Sequence, residues 1–561
     1  MIFIRISSLL LLMIFDTITC KPFASTLAPT VTIQNGTLVG SHHSAYNQDF
    51  FLGIPFAAPP IGELRLRRPA PPTAWTGRKK ADTYSNWCMS LSLGLPGFSQ
   101  NATEPISEDC LYLNIVRPAG IPANAKLPVM AWIHGGGFLE GSANDPRYNG
   151  SFIVQKSVQM GSPVIFASFN YRMGAFGMLA GAAAEKEGIT NIFLRDQRQA
   201  LAWIQENIAE FGGDPARVMI FGESAGAVSI GCHLYAYGGR DDRLFSAAIL
   251  ESGGSYVSNL ITKAEDKEAS FQAVLNATNC SAVVDPIACL RQAPAASLLM
   301  AASQPISVDG DVFLESGAEA MAQGHFVRVP TIIGNNRNEG TTILKIVGNG
   351  PVNDYDDFHA LMQNFYRYNP VNQTESQTLW DLYQTYVNQS SNAGLGTVLA
   401  DQGPAIGTSY GLATLVVGDF SFILGRRSMN QAFVANGVPT YSYFFDTQTS
   451  NLDPKRYGVA HFQEIPFVFN NWQGVGWDVD PIPQGLEEPS YRRLAETMSR
   501  MWISFAVTHS PNNHKLPYIK SKWPAYAKQD PHNFVFTADG VSTQADTYRN
   551  EAQKVFLKLQ L

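Results

Sequence analysis

The chain has 561 residues, 45% of them hydrophobic and 16% charged, enough to bury a substantial core. Its formal charge is −7 and its pI about 5.8, with no Lys/Arg block, which argues against nucleic acid and anionic membranes as partners.

From the N-terminus, Arg5 precedes the apolar run 9–15, the order of a secretory signal ending near Cys20. The run is too short for the ~20 apolar residues of a bilayer span. The reading is a signal at residues 1–20 and one domain over 21–561, because the motifs taken up below are spread over hundreds of positions that must meet at one place. The C-terminal stretch 554–561 is too short and too charged for a lipid-anchor signal, so no stable membrane anchor is expected. Behind a signal peptide, the sequons at Asn35, Asn101, Asn149, Asn276, Asn279, Asn372 and Asn388 predict a glycosylated surface.

Residues 30–56 alternate and turn like an antiparallel edge. Buried strands are predicted at 127–133, 164–170, 217–222, 246–251 and 329–333. Helical stretches separate several of them, most clearly 192–211, where Leu194, Ala200, Leu201, Ile204 and Ile208 lie near a 3.6-residue period. Strands alternating with helices give an α/β fold with a large, mostly parallel sheet flanked by helices. Residues 342–435 read as mixed helix and loop, an insertion able to shape a cleft.

Glycine runs stand at the carboxyl ends of two of these strands, where such sheets bind ligands. After Ile133 comes His134-Gly135-Gly136-Gly137-Phe138; after Phe221 comes Gly222-Glu223-Ser224-Ala225-Gly226. The second is a G-x-S-x-G between strand and helix, a tight turn that holds the Ser224 hydroxyl clear of the backbone. Acyl transfer would also need a base, a group to orient it and oxyanion donors. Residue chemistry leaves five later histidines open for the base: His359, His461, His509, His514 and His532. Glu339, just past the strand at 329–333 and backed by Gly340, could orient a histidine or simply cap a helix. His461-x-x-Glu464 lacks the second histidine of a zinc motif, and no phosphate-binding glycine motif occurs, so no metal and no cofactor are implied.

Residues 211–226 as a whole, Glu108-Asp109-Cys110-Leu111-Tyr112-Leu113-Asn114, the stretch 51–60 and His461-Phe462-Gln463-Glu464-Ile465-Pro466-Phe467 together resemble the type-B carboxylesterase/lipase family over nearly the whole mature chain. The resemblance implies an α/β-hydrolase with an N-terminal antiparallel edge and helical insertions. It implies Ser224 as nucleophile, Glu339 as triad acid and His461 as general base, since the family's histidine motif matches only there. The oxyanion donors would be the N–H groups of Gly136, Gly137 and Ala225. It pairs Cys88 with Cys110 and Cys280 with Cys289, leaving Cys232 in an apolar stretch where packing is its expected role. By family pattern, Arg65–Glu108 and Arg172–Asp196 would be ion pairs bracing loops near the site.

The expected function is therefore a secreted, extracellular serine carboxylic-ester hydrolase working through an acyl-enzyme on a small-molecule or lipid ester. The loop between Cys88 and Cys110 has 21 residues and is broken by Gly94, Pro96 and Gly97, a poor amphipathic lid. That favours short- to medium-chain or aromatic acyl esters over the alternative, a lipase or sterol esterase on long chains. Cholinesterases resemble the chain too, but keep a tryptophan inside this loop, whereas Trp87 precedes it. A non-catalytic adhesion module of the same fold is the remaining alternative, against which Ser224, Glu339 and His461 are all present.

Overall fold

A sheet of eleven strands crosses the molecule. In chain order they are β1 (Ser41–His43), β2 (Gln48–Pro55), β3 (Tyr112–Pro118), β4 (Leu127–Ile133), β5 (Ile165–Phe169), β6 (Gly213–Glu223), β7 (Ala247–Glu251), β8 (Thr331–Asn336), β9 (Thr440–Phe445), β10 (His532–Thr537) and β11 (Gly540–Ala545). Across the sheet the order is β11-β10-β9-β8-β7-β6-β4-β5-β3-β2-β1. The strands from β10 to β5 are parallel, while β1 to β3 and β11 pair antiparallel at the two sides. The computed structural model describes residues 28–99, 105–255, 261–301, 306–348, 350–365, 371–388 and 402–560. The predicted signal segment, Asn101 and the rest of the Asn388 sequon lie outside these residues.

Continuous apolar strands follow from burial on both faces. In β4, Val129, Ala131 and Ile133 feed one core and Met130 and Trp132 the other, because successive side chains point to opposite faces. The first core is closed by helices α2 (Ile192–Asn207) and α3 (Ala225–Gly239), through Leu194, Leu201, Ile230 and Leu234. The second is closed by α1 (Gly150–Gln159) and α5 (Glu488–Thr508), through Ile153, Val154, Met498 and Trp502. The stretch read as one helix to residue 211 ends at Asn207 and tightens into a 3-10 turn, Ile208–Phe211, before the left-handed Gly212. Between β8 and β9, α4 (Gly340–Val347) starts a helical layer with its own apolar cluster, joined by the C-terminal helix Asn550–Gln560. Asp546 ties that end down: fully buried, it accepts from Arg426, Arg427, Tyr526 and Asn533.

Disulfides join Cys88 to Cys110 and Cys280 to Cys289, and Cys232 is buried and in no disulfide. Burial pushes the Cys232 thiol up to about 12, so it packs as an apolar group at neutral pH. Among the sequon asparagines, Asn276, Asn279 and Asn372 are exposed. Asn35 and Asn149 are half-buried, and their side chains bond Pro72 O and Ser151 N. No helix among the described residues is long and apolar enough to cross a membrane.

Candidate active site

Strand order reverses between β4 and β6, so the loops leaving their carboxyl ends part and open a crevice. Both glycine runs sit there. Ser224 follows β6 with φ 56° and ψ −121°, a strained conformation that projects its side chain from the turn. Its N–H donates to Glu251 O at 2.9 Å, and its carbonyl accepts from Val228 N at 2.8 Å, so the elbow is held by β7 and by α3. The flanking glycines are required by packing. A Cβ on Gly222 or Gly226 would stand 2.4 or 2.0 Å from Ile133 O, inside contact distance.

The glycine run after β4 passes over the serine: a Cβ on Gly135 would lie 3.1 Å from Ser224 Cβ. Gly136 and Gly137 have φ 101° and 60°, left-handed values that turn the chain away from the extended strand and that glycine adopts readily. Gly136 O accepts from the N–H groups of Leu139 and Glu140, each at 3.0 Å, closing the turn. Ala225 opens α3, so its N–H is one of the unpaired donors of a helix N-terminus.

Glu339 stands just before α4 but makes no side-chain cap to it. Instead its Oε2 accepts from His461 Nδ1 at 2.6 Å. Its Oε1 accepts from the Ser252 hydroxyl and the Asn336 N–H, both at 2.6 Å. The acid and histidine loops are laced together by Asn338 N to Val459 O at 2.8 Å and Asn336 Nδ2 to Ala460 O at 2.8 Å. His461 is 2% exposed, with the Phe422 ring centroid 4.7 Å from its own. Its Nε2 makes no hydrogen bond to Ser224 or to any other described group, and lies 3.1 Å from Glu223 Oε1. The other histidines lie elsewhere: His359 bonds Ser376, His509 ends α5, His514 accepts from Leu516 N, and His532 faces Asp530.

Three further carboxyls were not found from sequence. Glu223, Glu251 and Glu464 are each fully buried around the Glu339–His461 pair. Glu251 accepts from Trp502 Nε1 at 2.7 Å and Glu464 from Asn336 Nδ2 at 2.6 Å. Burial, then neighbouring carboxylates, hold Glu223 and Glu251 well above the usual carboxylate range. The same causes push Glu464 up to about 7, with Asn336 pulling the other way. The available cue was local: Glu223 and Glu251 each end an apolar strand, where an unpaired charge would be costly.

Bracing pairs surround the crevice. Arg65 grips Glu108 through Nε and Nη2 at 2.6 and 2.5 Å, and Arg172 grips Asp196 at 2.8 and 2.6 Å. Both are two-pronged, the geometry that positions a loop most firmly.

A family model described as "Carboxylesterase family" matches residues 27–556. Secreted lipase 1 of Botryotinia fuckeliana is 32% identical over 543 residues, covering 89% of this chain and 88% of its own. Lipase 1 of Geotrichum candidum is 32% identical over 569 residues, covering 93% and 94%. Among solved structures, Aspergillus niger EstA superposes with a TM-score of 0.79 at 26% identity, over 96% of this chain and 98% of its own. The Geobacillus stearothermophilus carboxylesterase EST55 gives 0.74 at 28% identity, over 94% and 99%. The buried crevice at the strand ends and these likenesses lead to one conclusion: the chain belongs to the carboxylesterase family of α/β-hydrolases and is a carboxylic ester hydrolase.

Proposed function

We propose that residues 21–561 form one secreted serine esterase domain that hydrolyses short- to medium-chain or aromatic acyl esters through an acyl-enzyme. The observation that carries this reading is the 2.6 Å bond from His461 Nδ1 to Glu339 in a buried crevice that also holds the strained Ser224. Ser224 Oγ attacks the ester carbonyl while His461 Nε2 takes its proton. Glu339 orients the imidazole and stabilises its charged form. The oxyanion is met by the N–H groups of Gly136, Gly137 and Ala225, each such donor typically worth about 10²–10³ in rate. His461 then protonates the departing alcohol. Water, deprotonated in turn by His461, releases the acid and restores Ser224.

A lipase is the second reading, favoured by relatives named as lipases in Botryotinia and Geotrichum. The carboxylesterase name of the Geobacillus structural neighbour, and the short broken loop after Cys88, favour the first. Secretion rests on the order of residues 1–20, on the sequons and on the Botryotinia relative's name.

The test is hydrolysis of p-nitrophenyl esters of increasing acyl length, with Ser224→Ala as the blank. A maximum at short chains is expected. A maximum at long chains would establish the lipase reading, and no turnover above the blank would leave a binding module.

A further inference from the structure

The loop after Cys88 is not free. Leu91 N donates to Leu139 O at 2.8 Å, beside the oxyanion turn. The Leu93 side chain covers that turn: a Cβ on Gly137 would meet Leu93 Cδ1 at 3.0 Å. Ser99 Oγ donates to Glu140 Oε1 at 2.6 Å, and the Leu93 N–H and Ser92 hydroxyl also bond the Glu140 carboxylate. Glu140 is 7% exposed, and its own N–H closes the Gly136 turn, so this residue joins the loop to the oxyanion donors.

On the far side the loop reaches the histidine. The Phe98 ring packs edge-on against Phe462, centroids 4.6 Å apart, next to His461. Phe98 O accepts from Arg147 Nη1 at 2.7 Å. The Arg147 guanidinium lies 4.7 Å from the Phe462 ring and is clamped by Asp145. Lys345 of α4 donates to Gly94 O. The segment thus spans the crevice from oxyanion turn to histidine loop. Swinging it away would break bonds to two buried charges, Glu140 and Arg147, at once.

We propose that residues 89–99 form a fixed wall of the ester cleft, latched by Glu140, and that Leu93 on this wall sets the acyl length the site accepts. Glu140 is a positioning residue and Leu93 a specificity-determining one. The proposal rests on the esterase reading above. Neither residue was singled out by sequence, since nothing in the stretch 138–141 marks a carboxylate that turns back onto a loop more than forty positions earlier.

The test compares the full-length wild type with Leu93→Ala, Glu140→Gln and Ser99→Ala. It measures kcat/KM on p-nitrophenyl butyrate and decanoate, and amide hydrogen exchange of residues 89–99. Leu93→Ala is expected to raise the decanoate-to-butyrate ratio about tenfold, the discrimination of a small apolar group in a pocket, with exchange in the loop unchanged. Glu140→Gln is expected to speed exchange across 89–99 about tenfold or more and to move the ratio the same way. Ser99→Ala, which leaves the oxyanion turn intact, should do the same to a smaller extent and decides the matter if Glu140→Gln fails to fold. An unchanged ratio in folded Leu93→Ala overturns the role of Leu93. Wild-type exchange rates in the two latch variants overturn the latch. If the wild type hydrolyses no ester, the esterase reading and the acyl-length role fall together, and the exchange arm still decides whether Glu140 holds the loop.

Discussion

Ser252→Ala isolates the support behind Glu339, the proposed triad acid, without touching Ser224, His461 or Glu339 itself. In the structure Glu339 receives three short hydrogen bonds, from His461 Nδ1, Asn336 N and the Ser252 hydroxyl, each at 2.6 Å. The substitution deletes one and keeps the backbone, since Ser252 N still donates to Gly334 O at 2.9 Å and alanine tolerates φ 53° no worse than serine. A hydrogen bond to a charged group is worth about 1.5–3 kcal/mol. The carboxylate is most needed when His461 carries its extra proton, so the loss falls chiefly on the transition state. That predicts a drop in kcat of about 10–100-fold with KM nearly unchanged. The assay is steady-state hydrolysis of p-nitrophenyl butyrate, with near-UV circular dichroism as the check on the fold. A kcat within twofold of wild type in a folded variant would refute the reasoning. So would a rise in KM at constant kcat, which would mean that Ser252 holds the substrate cleft and not the acid.

Two further outcomes follow from the same crevice. Gly226→Ala drives a methyl to 2.0 Å from Ile133 O, and so must part β4 from the elbow. It should abolish activity and lower Tm by several degrees in a thermal melt, whereas Ala227→Gly, one residue on, should be far milder. For Glu464 the sign is set by its raised pKa. The folded state holds the proton up to about 7 while the unfolded chain releases it near 4.5. Its contribution is therefore fully present below pH 4.5 and lost as pH rises through 7. Glu464→Gln keeps an acceptor for Asn336 Nδ2 and removes that loss. Urea unfolding should show the variant gaining on wild type between pH 5 and pH 8, by up to about 3 kcal/mol. A difference independent of pH would contradict the assignment.

How much of this was legible beforehand depended on whether the signal was local. The strand Leu127–Ile133 matches its predicted limits, because a run buried on both faces is apolar without interruption and bounded by polar residues and glycine. The predicted 217–222 falls inside the longer β6, Gly213–Glu223, whose first residues carry the β4 register across a bulge. Gly222 and Gly226 were recognisable because a chain turning this tightly next to another strand admits no side chain, whatever surrounds it. The family resemblance, not the residue chemistry, pointed to Glu339 and His461, 122 positions apart, as candidate partners.

What the sequence could not carry were contacts between segments that meet only when the sheet closes. Ser252 looks like any serine after a strand until β8 brings Glu339 against it. Glu223, Glu251 and Glu464 look like ordinary acids until packing removes their water and sets them beside one another, which raises all three above the usual carboxylate range. The loop after Cys88 displayed its helix-breaking Gly94, Pro96 and Gly97, but not Glu140 and Arg147 of the β4–α1 connection and Lys345 of α4, which hold it from elsewhere in the chain. Apolar periodicity and tight-turn glycines are imposed by a residue's immediate neighbours along the chain, so the sequence by itself determined the strands, the elbow and the order of the motifs. Desolvation, charge coupling and loop anchoring are imposed by neighbours in space, and only the tertiary structure decided those.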